Sequence, residues 1–142
     1  MKFLKHILSA LPEYRSLRSA VDRHKTPVAA TGLSGIHKAH LIHSLCAELS
    51  RKGLVIASDE AEGQRLANDL ASMGTTALVY PARDFNFRDT EGQSREYEHQ
   101  RIHVISRMLT GDYDVIIACI DAALQYTIPP AELDRHIITL RQ

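Results

Sequence analysis

Apolar residues recur at helical spacing in three stretches of the chain, and each stretch is followed by a glycine and a short apolar run. The helical stretches are residues 36–51, 59–73 and 94–110, and the apolar runs are residues 54–57, 76–79 and 115–118. Apolar side chains three and four positions apart are typical of one buried helix face. The runs do not alternate with polar residues, as expected for strands covered on both faces. Three helix–glycine–strand units in a row predict an α/β fold of three α/β/α layers around a mostly parallel sheet.

The ends of these helices carry suitable residues. Gly53, Gly74 and Gly111 follow the three helical stretches. A glycine there adopts the left-handed conformation without a Cβ clash and closes the helix. At the start of the second helix, Asp59 and Glu62 have the spacing of a capping box, and their charges favour the helix dipole.

Two more strands and an N-terminal helical segment complete the predicted architecture. Pro27–Thr31 is predicted as the first strand and His136–Leu140 as the last. Residues 1–25 are predicted as a helical segment interrupted at Pro12, and residues 26–142 as the α/β domain. The apolar face of the segment favours packing against the sheet or a neighbouring domain over a position on a membrane surface. That face comprises Phe3, Leu4, Ile7, Leu8 and Leu11.

Composition narrows the class of protein. The 142 residues are 44% hydrophobic and 24% charged, which is typical of one soluble globular domain. The 17 basic and 17 acidic residues give no net charge, so no long-range attraction to nucleic acid or anionic lipid is expected. Cys46 and Cys119 lie in apolar stretches without metal-type spacing, and we interpret them as buried thiols of a cytoplasmic protein. No apolar stretch is long enough to predict a membrane span.

A damaged phosphate-loop pattern follows the first predicted strand. In the Walker pattern a glycine is followed by four residues and then by Gly-Lys-Ser/Thr. Gly32 and Lys38 occupy the first glycine and the lysine positions, with Gly35 between them. His37 replaces the second glycine and Ala39 replaces the hydroxyl residue. An imidazole crowds the path of the backbone around a phosphate, and alanine cannot bind magnesium.

The acidic strand end that accompanies this loop is also missing. The apolar run 115–118 leads into Cys119, and Asp121 lies beyond it. The combination predicts a RecA-like, P-loop NTPase-like domain with a degenerate nucleotide site, no cofactor and no catalytic activity. The alternative is an atypical nucleotide-binding domain in which Lys38 contacts phosphate and Asp121 or another domain supplies a metal ligand.

A second candidate surface combines arginines with aromatic residues. It comprises Arg83, Phe85, Phe87, Arg88 and Arg101. Such a combination can stack on and neutralise single-stranded nucleic acid, which makes a nucleic-acid-binding module a further alternative. Neighbouring acidic residues cancel much of that charge. For Arg101 the sequence leaves open a helical pair with Glu98, a buried ion pair or a contact with a partner.

Histidines recur on two predicted helices. His37, His40 and His43 are three residues apart, and His99 and His103 are one turn apart. A pair one turn apart can bind zinc. No further ligand is evident, and we interpret both sets as solvated surface residues.

The order and spacing of several motifs resemble the N-terminal UvrB-like module of bacterial transcription-repair coupling factors. Most of the chain takes part in the resemblance. The motifs are Thr31-Gly-Leu-Ser-Gly35 with Lys38-Ala39, Leu54-Val-Ile-Ala-Ser58, Tyr80-Pro-Ala-Arg83, Ser94-x-Glu96-Tyr97, Gln100-Arg101-Ile102, Asp114-Val-Ile-Ile-Ala118, Asp121-Ala-Ala-Leu124-Gln125 and Pro129-Pro130.

The resemblance implies a scaffold portion of a larger protein. Complete members are ATP-dependent DNA translocases that displace stalled RNA polymerase and recruit the excision-repair machinery through UvrA. Their ATP- and magnesium-binding motor lies downstream of this region. The chain corresponds to the part that resembles domain 1a of UvrB, so the expected partners are the remaining domains, UvrA through an adjoining domain, and RNA polymerase and DNA through the whole protein. No tyrosine-rich hairpin lies between Leu78 and Ser94, so direct lesion binding is not expected.

Overall fold

The fold was described from a computed structural model, which covers residues 7–82 and 96–136. Its helices are α1 (Pro12–Asp22), α2 (Gly35–Leu49), α3 (Glu60–Ser72), α4 (Glu96–Thr110), α5 (Ile120–Leu124) and α6 (Pro130–His136). Its strands are β1 (Gly53–Ala57), β2 (Ala77–Tyr80) and β3 (Val115–Cys119). The three predicted helix–strand units are confirmed, with boundaries that differ by one or two residues.

The three strands form one parallel sheet in the order β1-β3-β2. Val115 at the start of β3 pairs with Gly53 on one side and with Ala77 on the other. Every residue of β3 is buried. The uninterrupted apolar run of this strand is therefore explained by its central position, where both neighbours and both faces are covered.

Helices cover both faces of the sheet, so the described residues form three layers as predicted. On one face α2 and α3 enclose a core with Leu66, Leu70, Val115 and Ile117. On the other face α4 and α6 pack over a second core. That second core contains Tyr80, Val104, Ile105, Ile116, Ala118, Cys119, Ala122 and Leu133. These two cores hold the carboxyl-terminal ends of the strands in fixed positions.

Two of the three predicted helix-closing glycines are confirmed. Gly74 and Gly111 have φ angles of 81° and 74°. The amide of Thr75 donates to the carbonyl of Leu70, which closes α3 in the arrangement expected for a C-terminal glycine. The assignment of Gly53 to this role is wrong, because Ser50 takes the left-handed conformation instead.

Gly53 serves the packing of α2 against the sheet. A Cβ at this position would lie 3.0 Å from the Sγ atom of Cys46, which is tighter than most Cβ contacts in proteins and would force the thiol to shift. Gly53 is the first residue of β1, so the absence of a side chain lets α2 approach the strand.

The prediction of a first strand over Pro27–Thr31 is wrong. Residues 25–31 have no regular secondary structure, and residues 28–31 are exposed. Pro27 has no amide hydrogen for a sheet, and the segment runs along a groove beside α1 and α2. The predicted last strand also differs, because His136 ends α6. Residues 137–140 lie outside the described part of the chain.

The N-terminal helices agree with the predicted interruption at Pro12. Residues 7–9 are helical, and Pro12 is the first residue of α1, where a missing amide hydrogen is tolerated. Arg18 Nε lies 3.0 Å from Glu48 Oε2 and connects α1 to α2. Among the described residues, none of the helices has the length and apolar character needed to cross a membrane.

The edge strand β1 is incompletely covered. Val55 and Ala57 point towards α2 and α3, whereas Leu54 and Ile56 point to the opposite face and are 70% and 50% exposed. Buried parallel strands normally have both faces covered. In the described residues, α4 packs on β2, and α5 contacts β3 and β1 without burying Leu54 and Ile56.

Candidate functional site

The segment predicted as a phosphate loop contains a turn that leads into a helix, as a phosphate loop does. Gly32 has a φ angle of 77°, Ser34 precedes α2 as its N-cap, and the amide of Lys38 donates to the carbonyl of Ser34 at 2.9 Å. No atom outside the local backbone lies within 4 Å of a Cβ placed at Gly35, so this glycine is not required for a close approach. The loop–helix geometry is present without the strand that normally precedes it.

Lys38 is engaged by a carboxylate of the same chain. Its Nζ atom donates to Glu62 Oε1 at 2.9 Å, although 24 residues separate the two positions. The other oxygen of Glu62 accepts from the Ser58 hydroxyl at 2.6 Å and from the Ser58 amide at 3.1 Å. These bonds connect the first turn of α2 with the first turn of α3.

The same contacts explain the electrostatics of Glu62. Hydrogen bonds from Ser58 and then from Lys38 lower the pKa of the Glu62 carboxyl to about 2, against an ordinary value of 4.5. The anionic form is therefore the one that the site stabilises. The sequence predicted Glu62 only as a helix-capping residue. Its contact with Lys38 could not be predicted, because the two residues are 24 positions apart and belong to different helices.

The two substitutions in the loop, His37 and Ala39, have structural roles. Ala39, at the position of the hydroxyl residue, is completely buried in the core under α2. The Nδ1 atom of His37 lies 3.0 Å from Ser34 Oγ, within hydrogen-bonding distance. The lysine of the pattern is thus paired with Glu62, and alanine, buried in the core, occupies the position of the metal-binding hydroxyl.

A cavity of about 420 Å³ opens beside this ion pair. Its walls are apolar except for Lys38 and Glu62. They comprise Ala30, Gly32, Leu33, Leu41, Ile42, Val55, Ile56, Ala57 and Leu66.

Arg101 occupies a different position from the one predicted for a surface residue. It is 8% exposed, and its guanidinium lies 4.1 Å from the ring centroid of Tyr80. Its Nη1 atom donates to the Pro81 carbonyl at 2.7 Å and to Gln125 Oε1 at 3.1 Å. Its Nη2 atom donates to the Tyr126 carbonyl at 3.4 Å.

These contacts make Arg101 a structural connection between α4, the end of β2 and the turn after α5. The structure thus places Arg101 in the interior, whereas its role as an interaction residue stays a prediction. Sequence reasoning overlooked Tyr80 and Gln125 as its partners because they come from distant parts of the chain. The remaining members of that surface, Arg83, Phe85, Phe87 and Arg88, lie outside the described residues.

The two histidine sets differ from each other. His99 and His103 are exposed, as predicted, whereas His43 is 8% exposed and its Nδ1 atom lies 2.6 Å from Thr75 Oγ1. The interpretation of His43 as a solvated residue is wrong, because its side of α2 faces the turn after α3. Within the described ranges, no group of three potential metal-binding side chains is present.

An apolar groove separates α1 from the segment before α2. It has a volume of about 900 Å³, and its lining includes Leu17, Val28, Leu33 and Leu41. Tyr14 also borders it, and burial, followed by the negative charge of Glu48, raises the pKa of Tyr14 to about 12. The groove adjoins the loop and shares Leu33 and Leu41 with the cavity beside Lys38, so the two openings are neighbours.

Comparison with known proteins adds a distant relative. The chain is 24% identical over 123 residues to a transcription-repair-coupling factor of Bacillus subtilis (strain 168). The match covers 85% of this chain and 10% of the relative, so the chain spans about a tenth of the length of that protein. No family model and no solved structure matches the chain. The chain is thus distantly similar to one part of a transcription-repair-coupling factor.

Proposed function

We propose that the chain is a non-catalytic scaffold and interaction domain of a protein related to transcription-repair-coupling factors. The distant similarity to the Bacillus subtilis protein supports this relationship. The finer assignment, to a domain that resembles part 1a of UvrB and has a degenerate RecA-like fold, is part of the same proposal. It is supported by the parallel sheet with helices on both faces and by the loop that leads into α2.

The observation that carries the absence of catalysis is the state of the loop itself. Lys38 is bound to Glu62, and Ala39 is buried where a magnesium-binding hydroxyl would be needed. In this proposal ATP and magnesium act in a motor elsewhere in the full-length protein. The partners of this domain are the remaining domains of its own protein, which as a whole contacts UvrA, RNA polymerase and DNA.

Calorimetric titration of the chain with magnesium-ATP tests this proposal. We expect no binding by the wild type and none by Lys38→Ala, since the lysine is already paired. Micromolar binding by the wild type that Lys38→Ala abolishes would contradict the proposal and favour the atypical nucleotide-binding domain. Salt-dependent binding of single-stranded DNA would instead favour the nucleic-acid-binding alternative.

A further inference from the structure

We propose that Glu62 is an internal anion held by Lys38 and Ser58, because its carboxylate occupies the donors that a small oxyanion would otherwise use. In this contact, the side chain of Glu62 takes the place of a bound anion. This inference rests on the proposed function, since it explains how a degenerate loop is kept from binding phosphate groups.

The donors come from two separate elements and converge on one carboxylate. Lys38, in the first turn of α2, donates to Oε1, and Ser58, directly after β1, donates twice to Oε2. Charge-assisted bonds to both oxygens of a carboxylate resemble those with which proteins hold bound oxyanions. The site therefore already contains its anion.

Helix capping alone does not account for this arrangement. In a capping box, the acidic residue in the first turn reaches back to the amide of the N-cap residue. Asp59 is the N-cap of α3 and accepts from the Glu62 amide at 2.7 Å, as that motif requires. The Glu62 carboxylate, however, bonds to Ser58 and to Lys38 of another helix. The contact with Lys38 is thus additional to the cap.

The charges around the site set the expected strength of binding once Glu62 is removed. Lys38 supplies one positive charge, and the Ser58 hydroxyl also contacts the Asp59 carboxylate at 3.0 Å. Asp59 therefore repels an incoming anion in part. We expect weak binding of phosphate that depends entirely on Lys38.

Thermal unfolding of the chain in sodium phosphate and in sodium chloride of equal ionic strength tests the inference. Glu62→Ala should unfold at a lower temperature than the wild type in chloride, and phosphate should raise its midpoint by roughly 3–5 °C through binding to the folded state. The wild type should show no difference between the two salts. Glu60→Ala, an exposed acid in the same helical turn, is the matched control and should also show none.

A double variant identifies the donor. Lys38→Ala combined with Glu62→Ala should lose the response to phosphate, because the cation that bonds to the Glu62 carboxylate is gone. If Glu62→Ala does not fold, Glu62→Gln removes the charge and keeps the size of the side chain, and the same phosphate response is expected from it.

Three results would overturn the inference. A phosphate response of the wild type equal to that of Glu62→Ala would show that Glu62 does not close the site. A folded Glu62 variant without any response would show that the donors do not bind oxyanions. A midpoint raised by sodium acetate but not by phosphate would show that the anion only replaces the carboxylate that caps α3. None of these results requires magnesium-ATP binding by the wild type, which is the separate result that would contradict the proposed function.

Discussion

Two cationic side chains reach the carboxyl-terminal ends of the strands, and they are held in opposite ways. Lys38 lies beside the end of β1 and is 48% exposed in a pair with Glu62. Arg101 lies beside the end of β2, is buried, and donates to the oxygens of Pro81, Gln125 and Tyr126. An exposed ion pair contributes little to stability, and another anion can replace its carboxylate. Removal of a buried guanidinium, in contrast, leaves its hydrogen-bond acceptors without a donor. The first region is therefore suited to a change of ligand and the second to holding the fold.

The largest effect is expected when the buried cation is removed. Arg101→Ala deletes charge-assisted hydrogen bonds and leaves the buried Pro81 carbonyl without its donor, so it should lower the free energy of unfolding by about 3 kcal/mol. Arg101→Lys should still lose at least about 2 kcal/mol, because an ammonium cannot bond to the same spread of acceptors. Urea denaturation measures both.

A matched control lies on the same helix. Arg107 pairs with Asp112 at 2.8 Å, in an ion pair whose acid is 70% exposed. Arg107→Ala should change the free energy of unfolding by less than about 1 kcal/mol. Equal losses for Arg101→Ala and Arg107→Ala would remove the distinction between the buried and the exposed cation.

A smaller effect is expected when the missing hydroxyl is restored to the loop. Ala39→Ser places a polar group in a completely buried position, which should lower the free energy of unfolding by about 1–3 kcal/mol. It should not create affinity for magnesium-ATP, because Lys38 stays bound to Glu62. Ala47→Ser, on the exposed side of the same helix, is the control and should change stability by less than about 0.5 kcal/mol.

The smallest effect concerns the pH dependence of the exposed pair. The pKa of Glu62 is about 2 in the folded chain and 4.5 without its contacts. A lowered carboxyl pKa contributes stability above the unfolded value, and this contribution disappears as the pH falls through the folded value. The difference in unfolding free energy between the wild type and Glu62→Gln should therefore be constant above the ordinary carboxyl range and shrink between these two pKa values. A difference that grows towards acidic pH would contradict the contacts described for Glu62.

The sequence predicted those helices and strands that are determined by residues close to each other in the chain. The helices around Leu66 and Val104 and the strands that follow them have apolar spacing, caps and closing glycines within a few residues of each other. These features give the boundaries of α3, α4 and β3 to within one or two positions. The capping role of Asp59 was also predicted, because capping depends on a spacing of three residues.

The predictions that were wrong concerned contacts between distant residues. Whether Pro27–Thr31 pairs with a strand depends on what lies beside it, and its apolar composition suits a groove as well as a sheet. The burial of His43 depends on Thr75, and that of Arg101 depends on Tyr80 and Pro81. Leu45 belongs to the apolar positions of the predicted helical stretch 36–51 but is only partly buried, whereas its polar neighbour Ser44 is fully buried. Helical spacing defines a face but not how deeply each side chain on it is buried.

The strand order has a consequence for how the chain is made. In the described sheet, β1 and β2 pair only with β3, which is the last of the three to leave the ribosome. During synthesis, β1 and β2 therefore cannot form the strand pairs of this sheet before β3 has been made. We therefore expect the pairing of the described strands to form late in synthesis, after the helices between them.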